Sequence, residues 1–127
     1  MLVAGTFLPA MTKALDPLPA GAIGTGHEGY SETVIKIHTG DTITFENNSR
    51  WIHIIGPGDR GLLATDLVVS QLDDEAGSVN AGDMGMQPRI LMQENDIYTT
   101  TPWTVPGKYL ITCTVHPDMN ATVIVTD

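Results

Sequence analysis

Short apolar runs broken by glycine or proline follow one another along most of the chain. No window combines sustained helical spacing of apolar residues with caps at both ends, so the pattern favours strands over helices. Two strands are predicted, one in residues 34–37 and one in residues 43–45. Thr39, Gly40 and Asp41 lie between them and are typical of a β-hairpin or another tight turn.

The next apolar run contains His53. Alternate side chains of a strand share a face, so His53 is predicted to lie on one face with Trp51 and Ile55, while Ile52 and Ile54 lie on the other. The apolar neighbours on its own face place the imidazole of His53 beside the core.

Later apolar runs predict further strands, whose spacing suits a β-sandwich. In the run that follows Pro106 and Gly107, the side chains of Tyr109, Ile111 and Cys113 share one face. The thiol of Cys113 is therefore expected to point inward at the end of a strand. The predicted strands are residues 66–70, 90–92 with 97–100, 108–113 and 121–126.

Length and charge narrow the class of protein. With 127 residues, 42% of them hydrophobic, we expect a single domain over residues 1–127, in which the pattern does not place residues 1–30. The formal charge of -9 opposes binding to nucleic acid or anionic membranes and favours basic partners. Residues 1–10 are apolar but too short to cross a membrane, and we expect them to belong to the fold rather than to a trimmed export signal.

Three sulfur and nitrogen donors follow one another near the C-terminus. Cys113, His116 and Met119 are spaced three residues apart, and the strand that holds His53 can supply a fourth donor. Two histidines, one cysteine and a weakly bound methionine are the ligands of blue-copper electron-transfer sites. Zinc recruits further cysteine or histidine instead. The sequence therefore predicts one copper ion held by His53, Cys113, His116 and Met119.

These residues resemble the C-terminal copper loop of the cupredoxins. The two-residue intervals within Cys113–His116–Met119 are similar to the short loop of amicyanin more than to the longer loop of plastocyanin. The approach at 106–109 and the pair Asn47-Asn48 also resemble the family. The resemblance implies an all-β, cupredoxin-like Greek-key β-sandwich and a type 1 copper electron carrier rather than an enzyme.

The same resemblance implies where the protein works and which partners it has. We expect an exported, periplasmic or extracytoplasmic monomer whose partners are redox proteins, such as a cytochrome or a copper- or quinone-linked oxidoreductase. Membrane association is expected only if an N-terminal anchor once preceded the chain. His116, on the loop, is expected to be the more exposed ligand and the electron port.

Three features depart from the family. Ile54 stands where the family usually has an asparagine that ties the two ligand loops together, so we expect the tie to come from elsewhere or to be absent. Val115 and Asp118 replace a proline and an aromatic residue, which predicts a less apolar surface around His116. The long interval from His53 to Cys113 predicts a loop-rich insertion at residues 56–100.

Other candidate residues support alternatives. Met84 and Met86, with Met92 beyond them, either fill gaps in the core or form a soft Cu(I) docking site, which would favour copper trafficking or storage on the same fold. His27 and His38 are interpreted as surface histidines. The acidic run at residues 73–75 is interpreted as a solvated face, with docking to a basic cytochrome as the alternative.

Overall fold

The computed structural model describes residues 21–26, 29–65 and 76–127. Nine strands occur in this part of the chain, and none of its residues is helical. The strands are β1 (Ile23–Gly24), β2 (Val34–His38), β3 (Thr44–Glu46), β4 (His53–Asp59), β5 (Leu62–Leu63), β6 (Ile90–Met92), β7 (Ile97–Thr99), β8 (Gly107–Cys113) and β9 (Asn120–Thr126).

The strands form two sheets around one core. The larger sheet has the order β2-β9-β8-β4-β5, with β6 also paired to β4, and the smaller sheet has the order β1-β3-β7. Phe45 of the smaller sheet packs in the same buried cluster as Ile55, Ile111 and Val123 of the larger one. Apolar side chains from both sheets therefore share one interior, and the prediction of an all-β sandwich is confirmed.

The turn at residues 39–41 is tight but does not make a hairpin. Asp41 N donates to His38 O, and Gly40 adopts a φ of +92°, a conformation that favours glycine. Strand β2 pairs with β9, however, whereas β3 pairs with β1 and β7. The chain thus crosses from one sheet to the other at this turn, which a local sequence pattern cannot distinguish from a hairpin.

Strand β8 is buried on both faces. Tyr109, Ile111 and Cys113 face the core as predicted, but Leu110 and Thr112 are buried as well. Their face is covered by chain from the predicted insertion: Gly61 N donates to Thr112 Oγ1, and Gly77 lies against Leu110. Segments of 56–100 thus cover one side of the strand that ends in the cysteine.

Two further strand predictions have other outcomes. Trp51 is half exposed rather than on the buried face of His53, because strand β4 begins only at His53. The predicted strand at 66–70 lies outside the described residues. Within the described residues, there is no helix long and apolar enough to cross a membrane.

Candidate metal centre

Two antiparallel strands and one loop bring His53, Cys113 and His116 together. His53 is the first residue of β4 and Cys113 the last of β8, where Ile55 pairs with Cys113. His116 lies on the loop between β8 and β9. One ligand atom from each of the three residues lies within 4.8 Å of the others, and Cys113 Sγ is 3.7 Å from His53 Nδ1.

Burial differs among these donors. His53 and Cys113 are completely inaccessible, whereas His116 is half-buried. The prediction that His116 is the more exposed of the two histidines is confirmed. The indole of Trp51 lies edge-on to the His116 ring, with ring centroids 6.0 Å apart. The loop histidine and an exposed aromatic side chain therefore meet at the surface.

Met119 follows this group along the loop. Its side chain is fully buried and belongs to the same apolar cluster as Cys113. Its backbone N donates to His116 O at 2.9 Å, which closes the loop between the two residues. The loop thus turns Met119 back into the interior, and axial ligation by its thioether stays a prediction.

The donors fit copper. Nitrogen and sulfur ligands bind metal at about 2.0 to 2.3 Å, so two ligands of one ion lie within about 4.5 Å of each other. The observed limit of 4.8 Å is close to that separation. Two imidazoles and a thiol, enclosed by apolar side chains with a thioether among them, match the ligand types of a single type 1 copper ion.

A backbone hydrogen bond ties the two ligand segments together. Thr114 N, just after Cys113, donates to Ile54 O, just after His53, at 3.0 Å. The isoleucine that stands in place of the family's asparagine therefore contributes its carbonyl to a tie that its side chain could not make. The connection needs only the antiparallel pairing of β4 with β8.

Asn120 holds the ligand loop from outside. Its Oδ1 accepts hydrogen bonds from Arg60 N at 2.9 Å and Thr112 Oγ1 at 2.7 Å, while its Nδ2 donates to Pro117 O at 2.9 Å. Gly61 approaches Pro117 so closely that an added Cβ would lie 2.9 Å from the proline ring. The β4–β5 hairpin thus braces the loop that carries His116.

Tyr30 lies behind the cysteine. Its hydroxyl donates to Thr112 O at 2.9 Å, and its ring packs edge-on against Phe45. Burial of the phenol, with a smaller effect from the charge of Cys113, raises the pKa of Tyr30 well above its usual value. The phenol is therefore a neutral hydrogen-bond donor over the whole physiological range.

Sequence reasoning missed several residues around the centre. Ser49 Oγ lies 3.1 Å from His53 Nε2, and Asn47, one of the asparagine pair that resembles the family, lies beyond it. The available signal was a small polar residue four positions before the histidine. Nothing in the local pattern predicted the packing of Trp51 or Tyr30, because both contacts join distant parts of the chain.

Two of the other candidate residues lie apart from the centre. Met84 and Met86 are buried, and Gly85 between them packs against Trp103, which in turn contacts Tyr109 near the opposite end of β8 from Cys113. Met92 is also buried in the core, but it lies beside the centre, because it pairs with His53 across β6 and β4.

His38 adds nothing to the centre. His38 is exposed, with its Nδ1 3.8 Å from Asp41 Oδ2, as expected for a surface histidine. His27 and the acidic run at 73–75 lie outside the described residues.

The fold and the converging donors define the class: the chain has the cupredoxin fold. A reduced amicyanin variant superposes with a TM-score of 0.54 at 21% identity over 85% of each chain. A purple cupredoxin from Nitrosopumilus maritimus superposes at 0.51 and 22%, covering 87% of this chain and 88% of that one. No protein-family model and no curated protein matches the chain. The predicted likeness to amicyanin is thus confirmed for the fold.

Proposed function

We propose that this protein is a mononuclear type 1 copper electron carrier. His53, Cys113 and His116 are its equatorial ligands and Met119 its axial ligand. The observation that carries the proposal is the convergence of two imidazoles and one thiol within 4.8 Å, on a scaffold of cupredoxin fold. Copper bound there would supply a one-electron Cu(I)/Cu(II) couple.

The surroundings of the ligands support rapid electron transfer. His53 and Cys113 are held at the ends of paired strands, so their positions need to change little between the two oxidation states. Apolar packing around Cys113 and Met119 excludes water from the thiolate. His116, half-buried and in contact with Trp51, is the ligand nearest to solvent and the proposed port for the electron.

The proposed partners are redox proteins, such as a cytochrome or a copper- or quinone-linked oxidoreductase, that bind at the His116 end. Trp51 and Val115 are exposed there, so this surface is more apolar than the substitutions at 115 and 118 alone predicted. We further propose that the carrier works as a monomer in the periplasm or at another extracytoplasmic surface, as expected for a protein of this fold.

Copper trafficking or storage is the weaker alternative. It depends on the soft sulfur pair Met84 and Met86 being able to reach copper, but these residues are 7% and 3% exposed and pack in the core. Slow loss of copper to a chelator, together with fast reversible reduction, supports the carrier. Rapid copper release with sluggish reduction would favour trafficking.

The defining experiment is addition of Cu(II) to the metal-free protein. We expect an intense blue sulfur-to-copper charge-transfer band that disappears in Cys113→Ala. Met84→Leu is the matched control, because it removes a buried sulfur of similar volume at a distance from the centre and should leave the band intact. A colourless or faintly coloured Cu(II) complex of the wild-type protein would contradict the proposal.

A further inference from the structure

A chain of buried side chains leads from His53 into the fold. Ser49 Oγ lies 3.1 Å from His53 Nε2 and 2.6 Å from Asn47 Oδ1. Asn47 Nδ2 lies 2.7 Å from Trp51 O and 3.2 Å from Met92 O. Asn47 and His53 are completely inaccessible and Ser49 is 6% exposed, so these hydrogen bonds are shielded from water.

The direction of each hydrogen bond follows from the backbone groups at the ends of the chain of side chains, because a carbonyl oxygen only accepts and an N–H only donates. Backbone carbonyl oxygens only accept, so the Asn47 atom facing Trp51 O and Met92 O must be the NH₂ group. The other amide atom receives the backbone N–H of Ser49, which only donates, so it must be the oxygen. These three contacts, at both ends of the amide, therefore fix the orientation of the Asn47 side chain.

The Ser49 hydroxyl carries a single hydrogen. Its shortest contact, 2.6 Å, is with Asn47 Oδ1, whereas the carbonyl of Trp51 is 3.5 Å away. The hydrogen therefore points to Asn47, and Ser49 Oγ presents lone pairs to His53. For the contact at Nε2 to be a hydrogen bond, that nitrogen must carry the proton. In a neutral imidazole, Nδ1 then has a lone pair, directed toward the Cys113 thiol at 3.7 Å.

We propose that Asn47 and Ser49 are positioning residues that hold His53 as its Nε2–H tautomer and turn Nδ1 toward the metal centre. Ligating histidines commonly donate their second N–H to an oxygen that fixes the ring, and loss of such a partner weakens metal binding about 10- to 100-fold. The tautomer itself is a property of the metal-free protein. Only the effect on copper rests on the proposed function.

The hydrogen-bonded pair Asn47 and Ser49, called the relay below, is anchored in part by strand β6. Met92, whose carbonyl anchors Asn47, pairs directly with His53 across β6 and β4. Part of the region between His53 and Cys113 thus orients the histidine at one edge of the centre. Another part of the same region, the β4–β5 hairpin, braces the ligand loop.

The test is long-range ¹H–¹⁵N NMR of the histidine rings in the metal-free, full-length protein. Wild-type His53 should show hydrogen on Nε2 only, and Ser49→Ala should lose this single form. Ser78→Ala is the matched control. Ser78 is a half-buried serine whose hydroxyl accepts a hydrogen bond from Asn80 N, but it pairs with Tyr109, far along β8 from Cys113. The control should match the wild type.

Copper release supplies the second measurement. Ser49→Ala should lose copper to a chelator about tenfold faster or more, and Ser78→Ala at the wild-type rate. The proposal is overturned if wild-type His53 carries hydrogen on Nδ1, a result that needs no variant, or if a folded Ser49→Ala keeps the Nε2–H form unchanged. An Nε2–H tautomer without a blue Cu(II) band would leave the relay standing and refute the electron carrier. A blue band with the wrong tautomer would do the reverse.

Discussion

The two imidazoles of the candidate centre are held in different ways. His53 begins a strand, is completely buried, and is joined through Ser49 and Asn47 to backbone carbonyls. His116 lies on a loop, is half-buried, and touches the half-exposed indole of Trp51. One histidine is built into the sheet, whereas the other lies where the fold meets solvent.

In the proposed electron carrier, this difference would separate two requirements. Small reorganisation needs ligands that cannot move, which strand pairing and a buried relay provide. Exchange of electrons with another protein needs a ligand close to the surface, which strand pairing alone would bury. The chain would meet both requirements because the loop after Cys113 leaves the sheet for only a few residues before β9 begins at Asn120.

The largest expected effect comes from removing each imidazole in turn. His116→Gly should lose the blue band, and added imidazole should restore most of it, because the gap opens at the surface. His53→Gly should also lose the band, but added imidazole should restore little or none, because that site is completely buried. Absorption spectra of Cu(II)-loaded variants with and without imidazole measure the contrast. Equal rescue of both variants would contradict the difference in burial between His53 and His116.

An intermediate effect is expected from loosening the loop. Asn120→Ala removes the acceptor of Arg60 N and Thr112 Oγ1 and should lower the free energy of unfolding by about 1 kcal/mol. Copper release should become several-fold faster while the blue band persists, since no ligand is lost. Denaturant unfolding and chelator kinetics are the measurements.

Asn80→Ala is the control for the loop variant. Asn80 accepts from Gly82 N and donates to Asp83 in an exposed loop away from the ligands. It should release copper at the wild-type rate. Equal acceleration in both variants would show that the bracing of the ligand loop by Asn120 has no particular effect on the centre.

The smallest effect concerns alkaline pH. The pKa of Tyr30 is raised in the fold, so above about pH 10 the unfolded chain loses this proton while the folded chain retains it. The free energy of unfolding should therefore fall as pH rises through that range. Tyr30→Phe should be less stable at neutral pH, through loss of the bond to Thr112 O, but should show a shallower alkaline decline. Denaturant unfolding at several pH values tests this, and identical slopes would exclude the effect of Tyr30.

A substantial part of the centre could be predicted from residue types and spacing. Cys113, His116 and Met119 follow one another closely, so their proximity in space needs only a short loop, and His53 could be placed beside the core from strand alternation. The contact of Ser49 with His53 could not be predicted, because it depends on how the six residues between β3 and β4 direct their side chains. That of Trp51 with His116 could not be predicted either, because it joins distant parts of the chain. The role of Met92 O depends on the pairing of β6 with β4, which joins residues about forty positions apart.

The sequence by itself determined the kind of metal and the class of fold, because donor chemistry and hydrophobic alternation are local properties of the chain. Tertiary structure alone decided that the turn at 39–41 crosses between sheets, that Met84 and Met86 are core residues, and that the backbone beside Ile54 ties the ligand segments together. Those outcomes depend on which distant strands pair and which faces become covered. Strand pairing and the burial of strand faces follow from the free energy of the whole domain, which no single segment determines.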